Sequence, residues 1–279
     1  MGISFVKGHG TQNDFVLLPD LDATLDLTPA RVRVLCDRQA GLGADGVLRV
    51  VRAKAIEPRP SDVDDDVWFM DYRNADGSVA EMCGNGVRVF ARYLLDAGLV
   101  TRTEFPVGSR AGVRNVVVGA DGEVAVEMGP VRVTGESAAT LGGRTFAGVA
   151  VNVGNPHLVC PVDRLDDLDL SAPPGHDAAV FPDGVNVEFV ESRGPRHVAM
   201  RVFERGVGET WSCGTGACAA VAAAVVDEAE LQGGAAGLDL PASYAVDVNG
   251  GTLTVTWGSD DHIHLKGPAE LVASGTWTL

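Results

Sequence analysis

VWFMDYRNADGSVAEMCGNGVRVFARYLL, residues 67–95, has the same outline as HVAMRVFERGVGETWSCGTGACAAVAAAV, residues 197–225. Each stretch begins with an alternating, strand-like segment, passes through a loop to the motif Cys-Gly-x-Gly, and ends in an apolar run. In the first run the apolar residues recur on one helical face, which predicts an amphipathic helix. The second run is apolar on all sides, which is typical of an enclosed helix. Both stretches therefore predict a core helix that begins beside a cysteine.

Shorter segments extend this similarity along the chain and suggest an internal duplication. Two further pairs match in the same order: NDFVLL (13–18) with NPHLVC (155–160), and LGADGV (42–47) with VFPDGV (180–185). An ordered series of matches is stronger evidence for duplication than any single pair. We therefore expect an α/β (α+β) chain of two pseudo-symmetric lobes, residues 1–127 and 128–266, each with a mixed, barrel-like sheet wrapped around a central helix.

Local signals inside the two halves predict individual elements. Thr28 is a typical N-cap, Pro29 suits the first helical position, and Gly41 lies past the end of that helix. Alternating strands flank Asp-Gly at 121–122 and Asn-Gly-Gly at 249–251, and both turns are strong hairpin signals.

Composition limits the class of protein. The 279 residues suit one large domain or two smaller ones, and the net charge of −16 argues against nucleic acid as a partner, because phosphate binding needs a basic face. The longest apolar stretch, Ala217 to Val226, is too short to span a bilayer, and the N-terminus has no pattern of a signal peptide. Five cysteines without disulfide-scaffold spacing suggest thiols in a reducing compartment. We expect a cytoplasmic protein without a membrane partner.

The repeated cysteine motif suits acid–base chemistry at a carbon next to a carboxylate. Glycines beside a helix start allow close approach of a ligand, and the first-turn amides and the helix dipole favour a negative charge there. If two such helix ends face each other, a bound carboxylate has its α-carbon flanked by Cys83 and Cys213. A thiol has an ordinary pKa of about 8.5, so it can serve as base or acid near neutral pH. The pattern favours inversion at an α-carbon, for which neither a metal nor pyridoxal phosphate is needed in principle.

Other interpretations of the cysteines carry less weight. Cys36, Cys160 and Cys218 lack the glycine context and are typical of small buried hydrophobic residues. A metal site at Cys83 and Cys213 lacks a CxxC pair or a histidine cluster, and a redox dithiol lacks the CxxC signature. We expect no metal and no cofactor, although a thiol-based metal or redox binding protein stays open as a non-catalytic alternative.

With these motifs in place, the chain resembles the diaminopimelate epimerase family. The other family-like segments are FVKGHGTQNDFVLL (5–18), GLGADG (41–46), YRNADGS (72–78), VNVGNPHLV (151–159), DGVNVEFV (183–190) and VFERGVGET (202–210). The resemblance implies a cofactor-independent epimerase that converts LL-diaminopimelate to meso-diaminopimelate in lysine and peptidoglycan precursor biosynthesis. It also implies a cleft between the lobes, commonly a homodimer, and a C-terminal strand, about 267–279, that returns to the first lobe.

The resemblance implies roles for individual residues. Cys83 and Cys213 are the base and the acid, and His157 and Glu204 tune the thiols. The residues implied in substrate binding are Asn13, Asn74, Gly84, Asn85, Asn155, Asn186, Glu204, Arg205, Gly214 and Thr215. In this set the glycines, Asn85 and Thr215 supply helix-end contacts, Asn13 and Glu204 face the reacting amino end, and the others hold the distal centre.

The chain departs from its relatives at two positions. Gly46 stands where some members carry a substrate-contacting glutamine, and Gln12 stands where glycine is frequent. The alternative enzyme class is a proline racemase or hydroxyproline epimerase, which shares the two-cysteine architecture. In that class the first motif usually reads Cys-Gly-His, whereas here Asn85 follows Gly84.

Overall fold

The computed structural model describes residues 2–231 and 238–278. Three parts of the predicted lobes lie outside the described residues: Met1, residues 232–237, and Leu279 at the end of the predicted returning segment 267–279. The described residues hold three α-helices, short 3₁₀ turns at Ala53–Ala55 and Leu165–Asp167, and strands that pair both parallel and antiparallel. The α+β class predicted from the sequence is confirmed.

The first elements in chain order are β1 (Gly2–Gly10), β2 (Asn13–Pro19), α1 (Pro29–Cys36), β3 (Gly46–Arg52), β4 (Trp68–Asn74), α2 (Gly84–Asp96), β5 (Glu104–Ser109), β6 (Gly112–Val118) and β7 (Val124–Pro130). The remaining elements are β8 (Arg132–Leu141), β9 (Arg144–Asn152), β10 (Pro156–Pro161), β11 (Gly175–His176), β12 (Asn186–Gly194), β13 (His197–Glu204), β14 (Gly208–Thr210), α3 (Gly214–Leu231), β15 (Ala242–Val248), β16 (Gly251–Trp257), β17 (His262–Gly267) and β18 (Glu270–Thr278).

The chain divides into two compact units. One unit is Met1–Val126 together with Gly267–Leu279, and the other is Glu127–Lys266. The first unit therefore includes β18, which pairs antiparallel with β1.

In the first unit, strands surround helix α2. β2 runs parallel to β3, β3 pairs antiparallel with β4, and β1 lies between β2 and β18. Helix α2 contacts β1, β2, β3, β4, β6 and β18. The sequence predicted one apolar face for this helix, but the structure buries nearly all of it, including the Arg88 side chain at 0% exposure. The apolar pattern underestimated the burial of the helix because it counts a charged residue such as Arg88 as exposed.

The second unit repeats the arrangement around helix α3. β10 runs parallel to β12, β12 pairs antiparallel with β13, and β9 pairs antiparallel with β10. Helix α3 contacts β8, β9, β10, β12, β13, β15 and β16. The prediction of an enclosed apolar helix is confirmed, because residues on all sides of its first three turns are buried. Among the helices in the described ranges, none combines the length and apolar character needed to cross a membrane.

The local signals in the sequence correspond to the observed elements. Thr28 caps α1 by accepting a hydrogen bond from the Arg31 amide at 3.3 Å, and Pro29 is the first helical residue. The predicted hairpins are β6–β7 and β15–β16, with the turns at the expected positions. Gly122 has φ = 82°, a backbone conformation that favours glycine.

Candidate active site

Cys83 and Cys213 stand at the starts of α2 and α3, as the sequence predicted. Cys83 has an extended backbone (φ −145°, ψ 119°), and its Sγ accepts a hydrogen bond from the Gly86 amide at 3.4 Å. Cys213 Sγ accepts from the Gly216 amide at 3.3 Å. Each sulfur thus takes the capping position that a serine or aspartate oxygen usually occupies. The N-terminal end of a helix favours negative charge, so both positions suit a thiol that must ionise.

The two motifs also place backbone amides beside each sulfur. The first helical turn has N–H groups without an acceptor inside the helix. Gly84 and Asn85 supply these groups in α2, and Gly214 and Thr215 supply them in α3. Such amides can bind a carboxylate oxygen.

Asn13 lies beside the first thiol. Its Oδ1 accepts from Asn85 Nδ2 at 3.2 Å and from the Cys83 thiol at 3.8 Å. Its Nδ2 donates to Asp45 Oδ2 at 2.7 Å. Asp45 therefore determines the orientation of the amide and turns its oxygen towards the cysteine.

A charged cluster holds Asp45 in place. Arg38 Nη2 donates to Asp45 Oδ1 at 2.7 Å and to Asp14 Oδ1 at 2.8 Å. Lys7 Nζ lies 2.5 Å from Asp14 Oδ2. Burial acts to raise the pKa of Asp14, but the hydrogen bonds from Arg38 and Lys7 outweigh it and lower that pKa to about 2. Asp14 thus remains ionised near neutral pH and keeps Arg38 beside Asp45.

Arg88 supports the same region from within α2. Its Nη2 donates to Asn85 Oδ1 at 2.9 Å and to Thr11 Oγ1 at 3.1 Å, so it sets the orientation of the Asn85 amide. The loop before Asn13 has positive φ at Thr11 (49°) and Gln12 (61°). That conformation favours glycine, and this chain adopts it with Thr11 and Gln12.

Asn74 ends β4 and closes a turn. Its Nδ2 donates to Ser78 Oγ at 3.0 Å, and its backbone amide donates to the Ser78 carbonyl at 3.0 Å. In the antiparallel register of β3 and β4, Asn74 lies opposite Gly46.

The second thiol lies at the end of a chain of polar contacts. Cys213 Sγ is 3.5 Å from Thr215 Oγ1, which accepts from Asn155 Nδ2 at 3.4 Å. Asn155 Oδ1 is 3.0 Å from His157 Nε2, and His157 Nδ1 is 2.7 Å from Glu188 Oε1. His157 and Glu188 are both fully buried. The segment NPHLVC and strand β12 therefore meet directly behind Cys213.

Burial and negative charge favour the protonated form of Cys213. Burial is the largest cause and raises the pKa of the thiol well above its usual value, and the charges of Glu204 and Glu188 raise it further. Hydrogen bonds from Thr215 and the Gly216 amide act in the opposite direction but do not outweigh these effects. Cys213 is therefore a thiol near neutral pH.

Asn186 and Arg205 form a separate contact in the second unit. Asn186 Oδ1 accepts from the Arg205 amide at 2.9 Å, and Arg205 Nη1 donates to the Asp183 carbonyl at 2.9 Å. The neighbouring Glu204 accepts from the Thr210 hydroxyl at 2.5 Å. The guanidinium thus lies at the surface, beside a polar strand end.

Comparison with known proteins identifies the family. The family model described as diaminopimelate epimerase matches residues 5–134 and 149–272. The diaminopimelate epimerase of Streptomyces coelicolor is 55% identical over 276 residues, which cover 98% of this chain and 94% of that protein. The chain belongs to the diaminopimelate epimerase family. The diaminopimelate epimerase of Rhodococcus erythropolis is 54% identical over 289 residues, with coverage of 98% and 96%.

Solved structures with the same fold are more distant in sequence than these family members. A predicted epimerase from Pseudomonas aeruginosa has a TM-score of 0.68 at 14% identity, and each chain is covered to 99%. A hydroxyproline epimerase from Agrobacterium vitis, with bound trans-4-hydroxy-L-proline, has a TM-score of 0.66 at 14% identity and coverage of 100% and 93%. At this identity the likeness shows the fold alone.

For this diaminopimelate epimerase family member, the structure groups most of the predicted site residues by unit. Asn13, Cys83 and Asn85 are in contact in the first unit. The predicted residues in contact in the second unit are Asn155, His157, Cys213 and Thr215, with Asn186 and Arg205 as a separate pair.

Sequence reasoning missed Asp45, Arg88 and Glu188. Asp45 and Glu188 lie inside the quoted segments GLGADG and DGVNVEFV, but their partners are distant in sequence. Among residues 2–231 and 238–278, no group of three or more His, Cys, Asp or Glu side chains is arranged to hold a metal ion.

Proposed function

We propose that this protein epimerises LL-diaminopimelate to meso-diaminopimelate, a precursor of lysine and peptidoglycan, and that Cys83 and Cys213 are its acid–base groups. The observation that carries the proposal is the pair of helix-capping thiols in a chain of the diaminopimelate epimerase family. Inversion at an α-carbon needs one group to remove a proton from one face and another to deliver a proton to the opposite face. Two thiols can perform both steps without a cofactor.

The reaction balances with one thiolate and one thiol. When Cys83 is the base, its thiolate takes the α-proton, and the electron pair of the C–H bond moves into the carboxylate to give an enolate-like anion. Cys213, which burial and negative neighbours keep protonated, then transfers its proton to the opposite face of the α-carbon. The products are the inverted substrate, a Cys83 thiol and a Cys213 thiolate, and proton exchange with solvent restores the starting state. The reverse reaction uses the same groups in exchanged roles.

The helix ends are proposed to stabilise the charge that develops during this reaction. As the proton leaves, negative charge grows on the carboxylate oxygens, and preorganised amides interact more strongly with that state than with the substrate. Gly84, Asn85, Gly214 and Thr215 contribute such amides.

The rest of the substrate needs groups of matching charge. We propose that Asn13 and Glu204 accept hydrogen bonds from the ammonium group at the reacting centre. The guanidinium of Arg205 suits the second carboxylate because its planar fork can donate two hydrogen bonds. Asn74, Asn155 and Asn186 can each donate and accept, as the distal amino acid group requires. In this proposal the enzyme is a cytoplasmic homodimer, as the family resemblance implies, and size-exclusion chromatography with light scattering tests the dimer.

Solvent exchange tests the function. In heavy water under reducing conditions, LL-diaminopimelate should gain deuterium at the α-carbon and yield the meso isomer. We expect Cys83→Ser and Cys213→Ser each to lower the epimerisation rate by about 100-fold or more, because a hydroxyl is a poor base near neutral pH. Cys36→Ala is the matched control, since burial raises the pKa of that thiol to about 11 and it lies in a hydrophobic core. Near-normal turnover by either serine variant would contradict the two-base assignment.

A second candidate substrate class follows from the fold shared with the hydroxyproline epimerase. Proline and trans-4-hydroxy-L-proline therefore belong in the same exchange assay. Turnover of either compound without turnover of diaminopimelate would contradict the proposed substrate and favour the second class.

A further inference from the structure

The two units place different side chains at matching positions around their core helices. In the first unit, Phe15 pairs with Gly46 in the parallel register of β2 and β3, and Leu48 lies two residues further along. In the second unit, His157 pairs with Asn186 in the parallel register of β10 and β12, and Glu188 lies two residues further along. His157 therefore corresponds to Phe15, and Glu188 corresponds to Leu48. An apolar pair in one unit is replaced by an imidazole and a carboxyl group in the other.

The glycine that ends each cysteine motif shows the same contrast. A Cβ on Gly86 would lie 3.3 Å from Leu48 Cδ2 and 3.6 Å from Phe15 Cζ, which is close to ordinary contact. A Cβ on Gly216 would lie 2.6 Å from Glu188 Oε1 and 3.2 Å from its Cγ. The carboxyl group of Glu188 thus occupies the space beside the first turn of α3 that the missing side chain leaves.

The contacts of His157 determine which groups donate and which accept between Glu188 and Cys213. Both ring nitrogens face oxygen atoms, Nδ1 at Glu188 Oε1 and Nε2 at Asn155 Oδ1. The Asn155 Oδ1 atom can only accept, so His157 Nε2 is the donor in that contact. With Nε2 as donor, the Asn155 oxygen faces His157 and its NH₂ group faces Thr215. Thr215 accepts from Asn155, which leaves its hydroxyl hydrogen to point to Cys213 Sγ.

The equivalent amide in the first unit has the opposite orientation. Asn13 gives its NH₂ group to Asp45 and turns its oxygen towards Cys83. Asn155 gives its oxygen to His157 and turns its NH₂ group towards the Cys213 side. The partner behind each asparagine, Asp45 or the His157–Glu188 pair, therefore decides whether an acceptor or a donor faces the thiol.

We propose that Glu188 is a positioning residue for Cys213, which acts on the thiol through His157, Asn155 and Thr215. This inference rests on the proposed function, in which Cys213 transfers a proton. The charge of Glu188 helps to keep the proton on Cys213 before transfer, while the hydrogen-bond chain supplies a donor to the sulfur once the proton has left. Glu188 Oε2 is buried and has no hydrogen-bond partner among the described residues, so packing or folding alone does not account for a carboxyl group at this position.

The test compares the pH dependence of the wild type with that of Glu188→Gln, which preserves the size of the side chain and removes its charge. The groups that face Cys213 and influence its ionisation are Glu188, Glu204, Thr215 and the Gly216 amide. Because the charge of Glu188 raises the pKa of the Cys213 thiol, its removal should shift the alkaline limb of kcat/KM to lower pH. Loss of the hydrogen-bond chain that leads from Glu188 to Cys213 should also lower kcat about tenfold or more. Acid–base catalysis typically contributes about 10²–10⁴ to a rate, and this loss is part of that contribution.

Glu191→Gln is the matched control. Glu191 lies three residues along the same strand, faces the opposite side of the sheet and accepts from the Leu165 amide at 2.9 Å. The Glu191→Gln variant loses the same charge on the side of the sheet that faces away from Cys213. Its pH profile and kcat should therefore match those of the wild type. A Glu188→Gln profile that coincides with the wild type, with kcat within twofold, would overturn the inference.

A second measurement separates this inference from the proposed function. In a Cys83→Ala background, the rate of iodoacetamide labelling at Cys213 is followed against pH by mass spectrometry. The pH of half-maximal labelling should be lower with Glu188→Gln than without it, and an unchanged value would contradict the role of Glu188 even if the wild type does not turn over diaminopimelate. If Glu188→Gln does not fold, the variant Glu188→Leu with His157→Phe, which copies the first unit, replaces it in both measurements.

Discussion

At the scale of single residues, ion pairs and hydrogen bonds fix the positions of the side chains around Cys83. Asp14 shows how this depends on protonation, because Lys7 and Arg38 stabilise only its ionised form. The folded-state pKa of Asp14 is lowered to about 2 from the ordinary 3.8. A lowered pKa means that the stabilisation is complete above about pH 5 and is lost as the pH falls through the folded value.

Asp14→Asn should therefore lower the free energy of unfolding by about 2 kcal/mol at pH 7, and the difference from the wild type should shrink to about half at pH 3. Urea unfolding at the two pH values measures this. Asp66→Asn is the control, because its side chain is 89% exposed and its contact with Lys54 is long at 3.5 Å; an exposed pair of this kind contributes little. A difference for Asp14→Asn that does not change between pH 7 and pH 3 would rule out the ionic origin.

At the scale of elements, the start of each core helix depends on what its second glycine faces. Gly216→Ala would push a methyl group against Glu188, whose carboxyl group cannot move easily because it is buried and held by His157 at 2.7 Å. The Cβ of Gly86→Ala would meet Leu48, Cys83 and Phe15 at 3.3–3.6 Å. We expect Gly216→Ala to cost about 1–3 kcal/mol of stability and to lower activity, whereas Gly86→Ala costs less than about 1 kcal/mol, since alanine favours the helix. Urea unfolding and the exchange assay compare the two variants, and equal losses would contradict the difference between the units.

Elements whose signals are local could be predicted from the sequence. Thr28 with Pro29 marks the start of α1, the Asp-Gly and Asn-Gly turns mark two hairpins, and the cysteine motifs mark the starts of α2 and α3. These features depend on residues a few positions apart, so their physical cause lies within the segment itself.

The charged partners of the site could not be predicted in the same way. Arg88 occurs in an apolar helical pattern, where a cation normally indicates an exposed face, yet it is fully buried because Thr11 and Asn85 accept from it. Asp45 reaches Asn13 across 32 positions, and Glu188 reaches His157 across 31. These pairings depend on the parallel register of β2 with β3 and of β10 with β12, which composition and spacing do not determine.

At the scale of the whole molecule, the two units have similar arrangements of strands and helix but different side chains around the helix start. Both units have a parallel strand pair, an asparagine at the start of the first strand (Asn13, the first residue of β2, and Asn155, just before β10), and a helix capped by a cysteine. Behind the helix start, one unit has Phe15 and Leu48, and the other has His157 and Glu188. Two units of similar topology thus hold two thiols with different surroundings, and the proposed reaction needs one group to accept a proton while the other donates one.

This comparison predicts opposite effects on stability and activity when the second unit is given the side chains of the first. The double variant His157→Phe with Glu188→Leu replaces a buried polar pair by apolar groups of similar volume that the same framework already accommodates. Such replacements are neutral or stabilising by about 1–4 kcal/mol, because desolvation of the charged pair is avoided. Urea unfolding at pH 7 should show a stability equal to or above that of the wild type, while the exchange assay shows a loss of at least about tenfold in kcat. The reverse exchange, Phe15→His with Leu48→Glu, should destabilise the protein, since it introduces a buried polar pair without the surrounding hydrogen bonds. A double variant that is both less stable by more than about 1 kcal/mol and fully active would mean that the pair serves folding and not proton transfer.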